Sequence, residues 1–137
     1  MREILFRGKR IDNGEWCKGY LSKSRDENKQ LKLCIDYEEK GVMCSSIVIP
    51  ETVGQYTGLI DENGKKIFEG DIVRAQDDVF GSPFYNGIVG MVTFEETAFF
   101  VETMNIIDTQ YLFNECAVYE VIGNTHDNPE LLKGGEG

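Results

Sequence analysis

Few residues in this chain are of a type that does chemistry. His126 is its one histidine, and Asp127 follows it. A histidine steadied by a carboxylate can act as a general base. Here the pair sits in Gly123-Asn124-Thr125-His126-Asp127-Asn128-Pro129, which reads as a loop leading into a helix cap. No nucleophile-elbow pattern offers a serine or cysteine for such a base to activate. Glu69 and Asp71 flank Gly70, a spacing that can hold a metal or move a proton. A glycine between two carboxylates also marks the entry to a strand, where Asp binds nearby backbone N–H groups, and that is the reading we adopt. Asp61-Glu62-Asn63-Gly64 lacks the alternating oxygen ligands and the distal Glu of a calcium loop. The residues therefore lead us to expect no catalytic set, no metal and no cofactor.

Recognition is a better use of what remains. Gln55, Tyr56 and Thr57 lie between two glycines, with Phe68 and Asp71 a short way on. Polar and aromatic side chains on a glycine-framed loop can form an interaction surface, and these five are the candidate site. The competing reading is a linker whose glycines let two sheets pack closely. Lys9-Arg10 and Lys65-Lys66 are the basic doublets. No aromatic stacking platform accompanies them, so they read as solvated, edge-protecting charges rather than a nucleic-acid site.

Charge points the same way. The net charge is −10, and residues 69–137 hold 2 Lys/Arg against 13 Asp/Glu. An acidic half repels phosphate and disfavours nucleic acid as a partner. It can attract a basic protein or stand in for DNA, although solubility is the plainer reason for it. Four cysteines, Cys17, Cys34, Cys44 and Cys116, are widely spaced with no Cys-x-x-Cys pair. They are expected to be free thiols, mostly acting as small buried hydrophobes. The opening decapeptide has only three apolar residues in a row, and no apolar run approaches ~20 residues. We expect a cytoplasmic chain with no membrane partner.

The elements that must position these residues are extended. Fifteen glycines in 137 residues, without an internal repeat, imply many tight turns between short strands. Asp12-Asn13-Gly14 predicts a two-residue hairpin turn, with Trp16 to Leu21 as the return strand. Ser22 to Gln30 is polar and charged and reads as a loop or an exposed hairpin tip. Leu31, Leu33 and Ile35 alternate as one face of a half-buried strand. Pro50 ends the next run, and Thr52 to Thr57 is ambiguous. Further strands are predicted from Ile72, over Gly87 to Glu95, from Ala98 to Val101, and from Cys116 to Ile122. Asn128 and Pro129 suit the cap and first position of one helical turn. The fold class is mainly β. A small SH3-like barrel is expected over residues 67–137, a further β-rich region over 1–66, and a short C-terminal helical turn.

Once these pieces are aligned, the chain resembles the YopX family of phage and prophage proteins. The matching residues are Ile4 to Arg10 with Trp16 and Gly19-Tyr20, then Val53 to Leu59, Asp61 to Val73, Val121 to Asn124, and Asp127 to Leu132. The resemblance runs from end to end and is weakest over 22–47 and 76–86. It implies a mostly β fold with a small barrel, and no catalytic residue is carried over from it. The resulting expectation is a non-enzymatic accessory protein in a bacterial host cell, working through protein contacts as a homo-oligomer. The alternative is an SH3-like module associated with nucleic acid.

Overall fold

The computed structural model describes residues 4–77, 87–95, 98–102, 109–111 and 117–136. The chain divides into two compact units, 1–58 and 59–137. Each is built on antiparallel strands.

The first unit contains β1 (Phe6–Lys9), β2 (Trp16–Arg25), β3 (Leu31–Glu39), β4 (Val42–Ile47) and most of β5 (Gly54–Ile60). Its strands run in the order β4-β3-β2-β1-β5. The turn after β1 differs from a two-residue hairpin. Gly14 alone takes positive φ, and Arg10 and Glu15 close the wider loop through an N–H to carbonyl bond. A true two-residue turn occurs instead at Lys40-Gly41, where both residues have positive φ between the paired Glu39 and Val42. Of the stretch read from its polarity as a loop or an exposed hairpin tip, residues 22–25 are strand. Ser22 to Arg25 pair in register with Cys34 to Leu31, because ladder hydrogen bonds do not depend on side-chain polarity. The loop proper is 26–30, where the Asp26 carboxylate accepts N–H bonds from Asn28 and Gln30.

Sheet pleat then decides what is buried. Residues opposite one another share a face, so Cys17, Ile35 and Val48 turn inward together, with Phe6, Leu33, Tyr37 and Val53 packed against them. The expected alternation of Leu31, Leu33 and Ile35 holds as one face, although Leu31 lies near the sheet end and is exposed. Pro50 opens a single 3-10 turn, Pro50–Thr52. The ambiguous stretch beyond it is β5, which pairs with β1 at Gln55–Phe6 and Gly54–Arg7.

Leu59 and Ile60 end β5 inside the second unit, where a turn at 61–64 leads into β6 (Lys66–Phe68). Then come β7 (Asp71–Asp77), β8 (Ile88–Glu95), β9 (Ala98–Glu102), β10 (Thr109–Tyr111) and β11 (Ala117–Asn124). Their order is β10-β9-β8-β7-β11. Counted from β7, that is fourth, third, second, first, fifth, the order in which β1 to β5 run in the first unit. Ile67, Val73, Ala75, Val92, Phe99, Val101 and Tyr119 form its core, with Leu59, Ile88 and Val121 at the margin.

A closed barrel was expected over 67–137. The sheet among the described residues is open, with β10 and β11 at its opposite ends. β10 pairs with β9 and β11 with β7, and no ladder joins β10 to β11 among the described residues. A 3-10 helix, Pro129–Glu136, replaces the expected single helical turn. Asn128 does not cap it by its side chain. Its Oδ1 accepts instead from the Asn124 N–H at 3.3 Å.

Candidate functional site

The turn after β5 is organised by one carboxylate. Asp61 is buried, and its Oδ1 accepts from the N–H groups of Asn63 and Lys65 at 2.9 and 2.8 Å. Its Oδ2 accepts from the Val121 N–H at 2.9 Å, so the turn is tied to β11. Burial pushes the carboxyl upward. The three N–H donors from Val121, Lys65 and Asn63 outweigh it and, with the Lys65 charge, hold the group below the usual carboxylate range. The Asp and Gly of the sequence signature thus mark a turn anchored over a long sequence distance.

That anchor sets the next residue. The Glu62 N–H donates to the Tyr119 carbonyl at 2.9 Å, which places Glu62 beside β11. On β7 and β11 the register sets Arg74 opposite Glu120 and Gln76 opposite Val118. These five residues line an open polar depression of about 370 Å³. Within it Arg74 Nη1 donates to Glu120 Oε1 at 3.0 Å. The pair is solvent-exposed, so it contributes at most about 1 kcal/mol to stability. Its carboxylates outnumber its cation two to one. Chemically, that arrangement suits a guanidinium or ammonium with an apolar stem, for which the half-exposed Val118 supplies a contact. Period-2 spacing in the sequence hints that Arg74 and Gln76 share a face. Nothing in it reveals the register that sets them against Glu120 and Val118.

The residues singled out from sequence go elsewhere. Gln55, Tyr56 and Thr57 are on β5, where Gln55 is half-buried and the other two are buried. Phe68 and Asp71 bracket the turn between β6 and β7, and both are buried. Asp71 Oδ2 accepts from the Phe68 N–H at 2.7 Å, the turn role expected for it. Four of the five side chains are thus buried: Phe68 and Asp71 close a buried turn, and Tyr56 and Thr57, which point to opposite faces of β5, are covered on both. His126 is exposed on a loop organised by Asn124, whose Oδ1 accepts from the N–H groups of His126 and Asp127. Among the described residues no group of three or more His, Cys, Asp or Glu is placed to hold a metal. No helix among them is long and apolar enough to cross a membrane.

The basic doublet at Lys9-Arg10 is engaged locally. Arg10 makes a two-pronged contact with Asp12 at 2.8 and 3.0 Å. Lys9 and Arg7 lie 5.7 and 4.8 Å from the Trp16 ring centroid, within cation–π range. The tryptophan face is therefore already shared with two cations of its own unit.

Cys17 and Cys34 are free and buried, Cys44 is free and half-exposed, and Cys116 lies outside the described residues. Burial pushes the Cys17 thiol up, so little thiolate forms near neutrality. A maleimide time course at pH 7.5, read by peptide mapping, should label Cys44 at least ~10-fold faster than Cys17 or Cys34. Equal rates for the three would contradict these burials.

The sequence profile of the family described as YopX protein matches residues 5–133. No curated protein matches the chain. Two crystal structures are similar to it. Protein EF1440 from Enterococcus faecalis is 24% identical, with a TM-score of 0.53 over 96% of this chain and 99% of that one. Protein yopX from Bacillus subtilis is 21% identical, with a TM-score of 0.56 over 96% and 98%. At these identities the likeness establishes the fold and nothing about activity.

Proposed function

Because the chain belongs to the YopX family, we propose that it is a non-enzymatic accessory protein of a phage or prophage, acting through protein contacts. In this reading the second unit receives a basic segment of a host or phage protein, and the chain itself self-associates. The carrying observation is the open depression lined by Glu62, Arg74, Gln76, Val118 and Glu120. It lies in a unit with 4 Lys/Arg against 15 Asp/Glu. A field of that sign draws in cations and raises their encounter rate. We also read the sheet of the second unit as an open relative of an SH3-like barrel.

The test is fluorescence anisotropy of a labelled Lys/Arg-rich peptide at low salt. Binding should weaken steeply as salt rises. Replacing both Glu62 and Glu120 by Gln should weaken it at least ~10-fold, because two charges facing the ligand are removed. Binding that the double variant leaves unchanged would remove the depression as the site. No binding at low salt would sink the reading.

A further inference from the structure

We propose that β4 is a self-association edge, pairing antiparallel with β4 of a second copy about a two-fold axis at Cys44. This deepens the self-association proposed above and rests on it.

β4 pairs with β3 and ends the strand order of its sheet. The Val48 N–H donates to the Leu33 carbonyl. Main-chain groups alternate along a strand, so residues 42, 44 and 46 also point toward β3, and 43, 45 and 47 point away. The outward carbonyl of Ile47 is taken by the Ile11 N–H at 3.0 Å. Met43 and Ser45 remain, with their N–H and C=O groups directed outward and no strand beyond them among the described residues.

The edge carries none of the usual protection. Val42-Met43-Cys44-Ser45-Ser46-Ile47 holds no charge and no proline, and its register with β3 is unbroken. Val42 and Met43 are 62% and 65% exposed, and Tyr20, on the same sheet face as Met43, is 66% exposed.

Charge selects the occupant. The first unit holds 10 Lys/Arg against 9 Asp/Glu, while the second carries a net of −11. A basic partner is drawn to the second unit and finds nothing at β4 to select it. Another copy of a −10 chain meets least repulsion at this neutral edge, and it brings an edge with the same unmet groups.

The register follows from the geometry. Centring on Ser45 would set Met43 against Ile47 of the other copy, where Ile11 already sits. Centring on Met43 would run Ser45 into the Lys40-Gly41 turn. Centring on Cys44 matches Met43 with Ser45 twice over and makes four main-chain hydrogen bonds. Cys44 then faces its own copy as a non-hydrogen-bonded pair, whose Cα separation of about 4.5 Å admits a disulfide.

The experiment is light scattering across a concentration series, with and without copper-phenanthroline in air. The oxidant takes two electrons and two protons from a facing thiol pair and leaves one S–S bond. We expect mass to rise from 15.5 kDa toward twice that value with concentration. Oxidation should trap a non-reducing-gel dimer that Cys44→Ser abolishes. Ser45→Pro removes an outward main-chain donor and leaves the main-chain ladder to β3 intact, losing there only the Ser45 Oγ bond to Asp36 Oδ1, and Met43→Lys places charge at the edge. Each variant, with unchanged circular dichroism, should stay monomeric where the unaltered chain pairs. A monomer at every concentration overturns both this pairing and the self-association it rests on. An oligomer untouched by either edge variant, with no Cys44-dependent dimer, overturns the β4 pairing and leaves self-association standing.

Discussion

Gly19→Ala is expected to unfold the first unit or destabilise it by more than about 3 kcal/mol, since the obstacle is backbone rather than a yielding side chain. The reason lies in how β2 is used. Its first part, Trp16 to Gly19, pairs with β1, and Tyr20 onward pairs with β3. At the changeover the Asp36 carbonyl of β3 closes directly on the space a Cβ would occupy, and the carbonyl carbon and the Tyr37 Cβ follow at 2.9 and 3.2 Å. Moving that carbonyl means shifting β3, which also carries Ile35 and Tyr37 into the core. Gly14→Ala is the control. Its φ of +71° is unfavourable for alanine, but nothing lies within 4 Å, so the cost should be near 1 kcal/mol. Urea unfolding of the two variants separates these cases. A Gly19 variant no worse than the Gly14 variant would refute the close approach.

This glycine shows what the sequence could reveal and what it could not. Its φ is not positive, so no turn signal marks it, and the contact that requires it comes from a strand 17 residues later. Turn chemistry was legible at Asp61 to Gly64, and in place but not in type at Asp12 to Gly14; the Lys40-Gly41 turn puts a lysine at positive φ, where no residue preference announces it. Strand positions were legible wherever apolar residues alternate, as at Leu31, Leu33 and Ile35. They were hidden at Ser22 to Arg25, where the ladder holds a polar stretch extended. The repeated strand order was invisible, because topology recurs here without matching side chains. The burial of four of the five candidate residues was hidden for the same reason that the acidic depression went unseen. Both depend on register, which places Thr57 and Phe68 inward and Arg74 beside Glu120. The YopX resemblance supplied what alternation could not, the identity of the whole assembly of strands.

The second large effect is expected at Asp61. Asp61→Asn keeps the size of the side chain but can retain only the acceptor for Asn63 and Lys65. Its amide nitrogen would face the Val121 N–H, donor against donor, in a buried place. Losing a charge-assisted bond and leaving an N–H unmet should cost about 3 kcal/mol at pH 7. The pH dependence is the sharper test. Folding holds this carboxyl below its ordinary value, so its stabilisation is complete above the unfolded pKa near ~3.9 and disappears as pH falls through the folded value. The stability gap between the unaltered chain and Asp61→Asn should therefore be widest near neutrality and narrow below about pH 4. Urea titrations at pH 7, 5, 4 and 3 measure it. A gap that stays constant to pH 3 would mean the ionised carboxylate is not what holds the turn to β11, and Glu62 would then lack the anchor that sets it in the depression.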